Sequence, residues 1–260
     1  MKRMLAIAFS MLMLCGLLLG TVVTVLASEP GYDITEVYGG GPVTLDAEWD
    51  ETEWDPGVCW VEYMGLDARW AYKMDTNLGP YYMSWIIEFS DNTDDAEDVW
   101  QICLDGTGAG GTAPTTDCNK IEITGHETLT VYAGNGDDWE VMEGADVQWN
   151  ETLATTSSFE PLDMDHYVIE IRADKGTLGA WGANPPPEGL RVAMYDASNE
   201  TQGWVAWPPT EADVPDVWGL IATYDTSIPE SLSFGVVALL SSVAVAVIFY
   251  SRRNTKKLPK

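Results

Sequence analysis

Eight segments of this chain either alternate apolar and polar residues or run apolar for five to ten positions, and turn chemistry cuts each one off. They are CWVEYMG (59–65), PYYMSWIIEF (80–89), VWQICLD (99–105), KIEIT (120–124), ETLTVYA (127–133), HYVIEIRA (166–173), RVAMYD (191–196) and VWGLIATY (217–224). Val, Ile, Tyr and Trp dominate them, and period-two alternation is the mark of a half-buried strand. Between them lie TNLGP, DGTGAGGTAP, GNGDDW, WGANPPPEG and WPPTEADVPD. Clustered Gly, Pro, Asn and Asp stop a strand and turn the chain. Helical periodicity is scarce; ADKGTLGA has room for one short turn. No internal repeat of fixed period is present. Many short strands at this spacing predict an all-β fold, an antiparallel β-sandwich.

Charge separates the chain into parts. The stretch 29–228 carries 40 acids against 6 bases, net −34, while the bases outside it sit at the two ends. Phosphate recognition needs clustered Lys and Arg, so nucleic acid is excluded as a partner. Docking of this body on an anionic membrane is disfavoured for the same reason. A hydrophobic content of 46% and 12 Trp exclude a disordered acidic chain. Residues 29–228 are enough for one well-cored domain, or two small ones at a stretch.

Both ends address a membrane. Residues 1–28 read as an export signal: Lys2 and Arg3, an apolar run from Met4, and Val25-Leu26-Ala27 with small residues at the −3 and −1 positions. The alternative is an uncleaved membrane helix. Residues 232–250 (LSFGVVALLSSVAVAVIFY) are uncharged over 19 positions, long enough to span a bilayer core. The basic tail 251–260, with Arg252 and Arg253 at its start, orients the C-terminus to the cytoplasm and the acidic body to the exterior. Pro229-Glu230-Ser231, the apolar span and the Arg-rich cluster together resemble the C-terminal sorting signals read by exosortases and archaeosortases. That resemblance implies cleavage and replacement of the tail by a lipid anchor; a plain single-pass anchor is the other reading. Either places the body at the cell surface, tethered to the membrane.

Within the body, VTLDAEWDETEW (43–54) resembles the opening of family nine carbohydrate-binding modules and their DOMON-like relatives, where a strand carries an Asp-Gly turn, then an acid and a Trp. Here Ala47 stands in the Gly position. YVIEIRADKGTLG, a Gly/Pro-rich loop, RVAMYDASNE, WVAWPP and a closing strand that begins VWG follow in the same order, so the resemblance spans about 43–224 as a sequence of elements. It implies a jelly-roll-like sandwich whose ligand is held by loops or by one concave sheet face. It also brings a branch of relatives that carry haem between Met and His. Here His126 and His166 are the only imidazoles and Met83 lies in a strand. Single His and Met residues on strands are far more often surface and core, and haem is not expected.

Several residues invite chemistry. Cys59, Cys103 and Cys118 remain once the export signal is gone, and Cys103–Cys118 is the favoured disulfide, closing a short loop for roughly 3 kcal/mol. Cys59 then stays a buried thiol. Asp91, Asn92, Asp94, Asp95, Glu97, Asp98 and Asp105 crowd hard oxygens into one region, the donor set of Ca²⁺, although the Gly and the terminal Glu of an EF-type loop are missing. The alternative is a solvated acidic loop. Trp139, Trp181, Trp204 and Trp207 lie in or beside Gly/Pro loops, where exposed indoles stack on sugar rings, and Asp196, Asn199 and Gln202 are close enough to meet hydroxyls. Asn150 and Asn199 open N-glycosylation sequons. No nucleophile elbow, HExxH, phosphate loop or CxxC motif is present, so no enzyme activity is expected. The expectation is a surface-anchored module that binds extracellular polysaccharide, with calcium as a structural ion. Acidity, sequons and the sorting-like tail together suggest an archaeal surface protein. A surface-layer or adhesion-type protein without a small ligand is the rival.

Overall fold

The computed structural model describes residues 32–35, 37, 42–55, 57–65, 67–75, 82–155, 164–178, 188–210 and 214–222. Among them, strands dominate and form two sheets in a sandwich-like arrangement. The larger sheet runs β1 (Asp33–Thr35), β13 (Gly219–Ala222), β11 (Glu188–Tyr195), β5 (Val99–Asp105), β6 (Cys118–Thr124), β7 (Thr128–Gly134) and β8 (Trp139–Val141), with β12 (Val205–Trp207) also on β11. The smaller runs β2 (Trp60–Met64), β3 (Ala68–Asp75), β4 (Tyr82–Phe89), β10 (His166–Asp174) and β9 (Val147–Ala154). Pairing is antiparallel as expected except for β1 on β13, which is parallel. No helix among the described residues is long and apolar enough to cross a membrane. The expected export signal, the Pro229-Glu230-Ser231 motif, the span at 232–250 and the basic tail with Arg252 and Arg253 lie outside the described residues.

Alternation builds the core. Trp70, Tyr72 and Met74 of β3, Met83, Trp85, Ile87 and Phe89 of β4, and Ile169 and Ile171 of β10 meet Trp100, Ile102 and Leu104 of β5 and Leu190, Val192 and Met194 of β11. The near-continuous apolar run of β4 has a separate cause. Its other face, with Ile86, is also buried, under the segment 43–59 that lies across the outside of the smaller sheet.

That segment is pinned by one carboxylate. Glu170 of β10 is fully buried and accepts hydrogen bonds from the Asp46 and Ala47 N–H groups (2.7 and 2.8 Å) and from Trp54 Nε1 (2.9 Å). Ala47 sits at φ +57°, the left-handed region that favours glycine, so an alanine here holds a strained turn. Asp50 then caps α1 (Glu51–Trp54) by accepting from the Thr52 N–H at 2.6 Å.

The expected disulfide is corrected. Cys103 and Cys118 are buried thiols without a disulfide. Asp105 lies opposite Cys118 and Cys103 opposite Lys120, so the two cysteines are diagonal neighbours. Diagonal positions are about 7–8 Å apart, beyond the usual reach of an S–S bond. Both pack instead against Trp218. Cys59 is a buried thiol, pushed up to about 12 by burial, and burial raises Cys118 to about 11. The haem pair is separated as well: Met83 faces the inter-sheet core, whereas His166 lies on the outer face beside Glu88.

Candidate functional site

Residues that alternate with the core positions of β5, β6, β7 and β11 face outward and meet in one hydrogen-bonded row. Gln101 lies opposite Glu122 in register, and Lys120 opposite Tyr132. Arg191 Nη1 donates to Gln101 Oε1 (2.8 Å), and Gln101 Nε2 donates to Glu122 Oε2 (3.1 Å). Tyr132 OH donates to Glu122 Oε1 (3.4 Å), and Lys120 Nζ stands 3.8 Å from Glu122. Arg191 Nε donates to the Thr210 carbonyl (2.9 Å), which ties the row to the segment after β12.

Aromatic rings bound this row at both ends. At one end Arg191 lies 5.5 Å from the Trp204 ring, and Trp204 packs on Tyr195 with centroids 5.6 Å apart. At the other, Lys120 lies over Tyr132 (4.7 Å) and Trp139 (5.0 Å). From Tyr195 on β11 to Trp139 on β8 the face crosses four strand spacings, about 19 Å. Arg191 and Gln101 are buried and form the floor; Glu122, Lys120, Tyr132 and Trp139 are half-buried, and Trp204 is exposed. An amide, a carboxylate, two cations and flat apolar rings on one rigid sheet can bind a polar ring compound, with hydroxyls on the row and C–H faces on the indoles.

The expected ligand residues divide. Trp139 and Trp204 belong to this face. Trp207 does not: it is 4% exposed and packs in the core against Trp70 (5.1 Å) and Tyr32 (5.9 Å), so it offers no stacking surface. Trp181 lies outside the described residues. Asp196 accepts from the Ser198 and Asn199 N–H groups and caps the 3-10 turn Ala197–Asn199, while Asn199 Nδ2 donates to Gln202 Oε1 (2.9 Å). These three shape the loop before Trp204. The row itself, Gln101, Glu122, Lys120 and Arg191, was missed. Lys120 and Arg191 are two of only six bases in the acidic body, and that scarcity was the available signal.

The acidic loop also divides. Asp91 and Asp98 are buried, and Asp95, Asp98 and Asp196 bring carboxylate oxygens within 4.8 Å of one another. Asn92, Asp94 and Glu97 are exposed. Asp105 sits at the far end of β5, about 23 Å away at ~3.3 Å per residue, and cannot share an ion with Asp98. It organises its own loop by accepting from the Thr107 and Gly110 N–H groups (3.0 and 2.8 Å). His126, absent from the sequence reading of this cluster, places Nε2 3.1 Å from Asp98 and Nδ1 3.0 Å from Glu151 of β9. Burial opposes its protonation, but the hydrogen bonds to Glu151 and Asp98 prevail and raise it to about 9. Asn150 and Asn199 are both exposed.

No family model and no curated protein matches this chain. Among solved structures, a carbohydrate binding module family 9 from Caldicellulosiruptor kristjanssonii in complex with glucose matches with a TM-score of 0.50 at 16% identity, over 74% of this chain and 95% of that one. A second structure, of a family 9 module from the same organism in complex with cellotriose, matches with a TM-score of 0.47 at 16% identity, over 76% and 98%. The first likeness shows a shared sandwich fold.

Proposed function

We propose that this chain is a non-catalytic saccharide-binding module displayed at a cell surface, with its ligand lying on the outer face of the larger sheet between Trp204 and Trp139. The carrying observation is exposed Trp204, backed by Tyr195 and Arg191, at the end of the Arg191–Gln101–Glu122–Lys120 row. The glucose-bound module of like fold supports saccharide as the ligand class. The apolar ends at 1–28 and 232–250 support export and tethering, by the helix or by a lipid that replaces it after sortase-type cleavage. Titrating the full-length chain in detergent with glucose, cellotriose and soluble polysaccharides should change tryptophan fluorescence. Trp204→Ala should weaken the response at least about tenfold, the loss of one stacking face. No response to any glycan would sink the reading.

One observation favours the rival, a surface-layer or adhesion-type module without a small ligand. All six bases of the acidic body are buried or half-buried, so the exposed charges of the described residues are acidic. Such a surface requires salt or divalent cations as counterions. Asp95, Asp98 and Asp196 are the proposed calcium ligands, with Asp91 beside them. Melting the full-length protein in EDTA and in millimolar Ca²⁺ at matched ionic strength tests this. A site held at a thousandfold excess over its Kd adds about 4 kcal/mol, several degrees in the midpoint. An unchanged midpoint would mean that His126 and the Asp95 and Ala197 N–H groups, which donate to Asp98 at 2.9 and 2.7 Å, already satisfy the cluster.

A further inference from the structure

The opposite side of the sandwich carries a second assembly of the same parts. Tyr63 of β2 lies directly across from Arg69 of β3, and Arg69 from Glu88 of β4. Arg69 and Glu88 are both buried and form an ion pair. The Arg69 guanidinium carbon lies over the Trp49 indole, 3.5 Å from its centroid, a cation–π contact that holds that ring in place. Asp50 caps α1, so Glu51 and Asp55 stand at its two ends with exposed carboxylates. Trp49, Glu51, Asp55, Tyr63 and Arg69, with Trp54 and Val61, line an open surface pocket of ≈ 130 Å³. Among the described residues, only two aromatic side chains are exposed: Trp204 (44%) on the first face and Tyr63 (54%) here.

We propose that this pocket, bounded by Trp49, Tyr63, Arg69, Glu51 and Asp55, is a second saccharide subsite on the outer face of the smaller sheet; the proposal rests on saccharide binding as the module's function. Charge selects the ligand class. An anion would meet Glu51 and Asp55 at the rim of a body of net −34. An organic cation would compete with Arg69, which already lies on the Trp49 face. A neutral ring with hydroxyls finds acceptors in the two carboxylates and an apolar face on Tyr63. The outer faces of two packed sheets point away from each other, so one module holds two polysaccharide segments and bridges them.

Calorimetric titration of the full-length protein in detergent with cellotriose tests the pocket. Two sites per chain are expected. Tyr63→Ala should leave one site and weaken the other at least about tenfold, whereas Tyr63→Phe, which keeps the ring, should retain both. Trp204→Ala should weaken the first site at least about tenfold and leave the Tyr63-dependent one. One site per chain that weakens in Trp204→Ala and is untouched by Tyr63→Ala would overturn the second subsite and leave the first reading standing. One site lost in Tyr63→Ala and kept in Trp204→Ala would support the pocket and remove the first face as the binding site. A response to tetramethylammonium in place of cellotriose, abolished by Tyr63→Ala, would make the pocket a cation site and overturn the proposal. So would the absence of any uptake of cellotriose or glucose at millimolar concentration.

Discussion

Trp207→Ala should destabilise the protein by about 3–5 kcal/mol, while Trp204→Ala, three residues away, should leave the melting midpoint nearly unchanged. Trp207 packs edge-on against Trp70 and Tyr32. The space for its ring exists because position 219 is glycine: a Cβ there would come within 2.5 Å of the indole. Removing so large a side chain leaves a cavity in which Trp70 loses a packing partner, and β12 loses its anchor between β11 and the core. Trp204 is exposed and rests on Tyr195 and Arg191, so its removal takes away little buried area. Thermal melts of the two variants beside saccharide titrations separate the roles. A Trp207→Ala protein that melts like the wild type but no longer binds saccharide would contradict its placement in the core.

Glu170→Ala should cost a comparable amount, about 3–5 kcal/mol, for a different reason. It strands three N–H donors, those of Asp46, Ala47 and Trp54 Nε1, beneath a segment that excludes water, at about 1–3 kcal/mol each before relaxation. Glu170→Gln keeps the shape but has one oxygen where the donors use two, so it should lose less. In both variants, limited proteolysis should open the chain within 43–55 before global unfolding. The same carboxylate has a pH signature. Burial outweighs the donated hydrogen bonds and raises Glu170 from 4.5 to about 7. Folded Glu170 therefore holds its proton more tightly than the unfolded chain does. Its contribution to stability is full below pH 4.5 and is lost as pH rises through 7. The wild-type midpoint should fall relative to that of Glu170→Gln across this window. Parallel curves would mean that Glu170 is ionised throughout.

Both predictions concern features that strand patterns alone leave open. In VWQICLD, KIEIT and RVAMYD, Gln101, Lys120, Glu122 and Arg191 are polar positions set between apolar ones. That pattern did not say that register would set Gln101 opposite Glu122 and bring Arg191 within bonding distance. β3 shows the same limit from the other side. In ARWAYKMD, Arg69 and Lys73 alternate with Trp70, Tyr72 and Met74 as a solvated edge would, yet Arg69 and Lys73 are buried. Lys73 Nζ donates to the Glu53 carbonyl and lies 5.1 Å from the Trp54 ring, and Arg69 lies on Trp49. The segment 43–59 had folded back across that face. The acidic loop was visible as composition, but a strand of seven residues carried Asp105 away from Asp91 and Asp98, and a turn brought in His126 in its place.

By itself the sequence determined the all-β, two-sheet class, eight of the thirteen strands among the described residues, the acidic body and the apolar ends, because period-two patterning, turn residues and charge are local or additive properties. Tertiary structure decided which tryptophan is core and which is exposed, which cysteines stay apart, and which carboxylates meet. Those outcomes depend on register between strands distant in the chain and on what covers each outer face. Trp204 and Trp207 have nearly the same neighbours in sequence; only the pairing of β12 with β11 and the gap at Gly219 send one ring inward and leave the other in water.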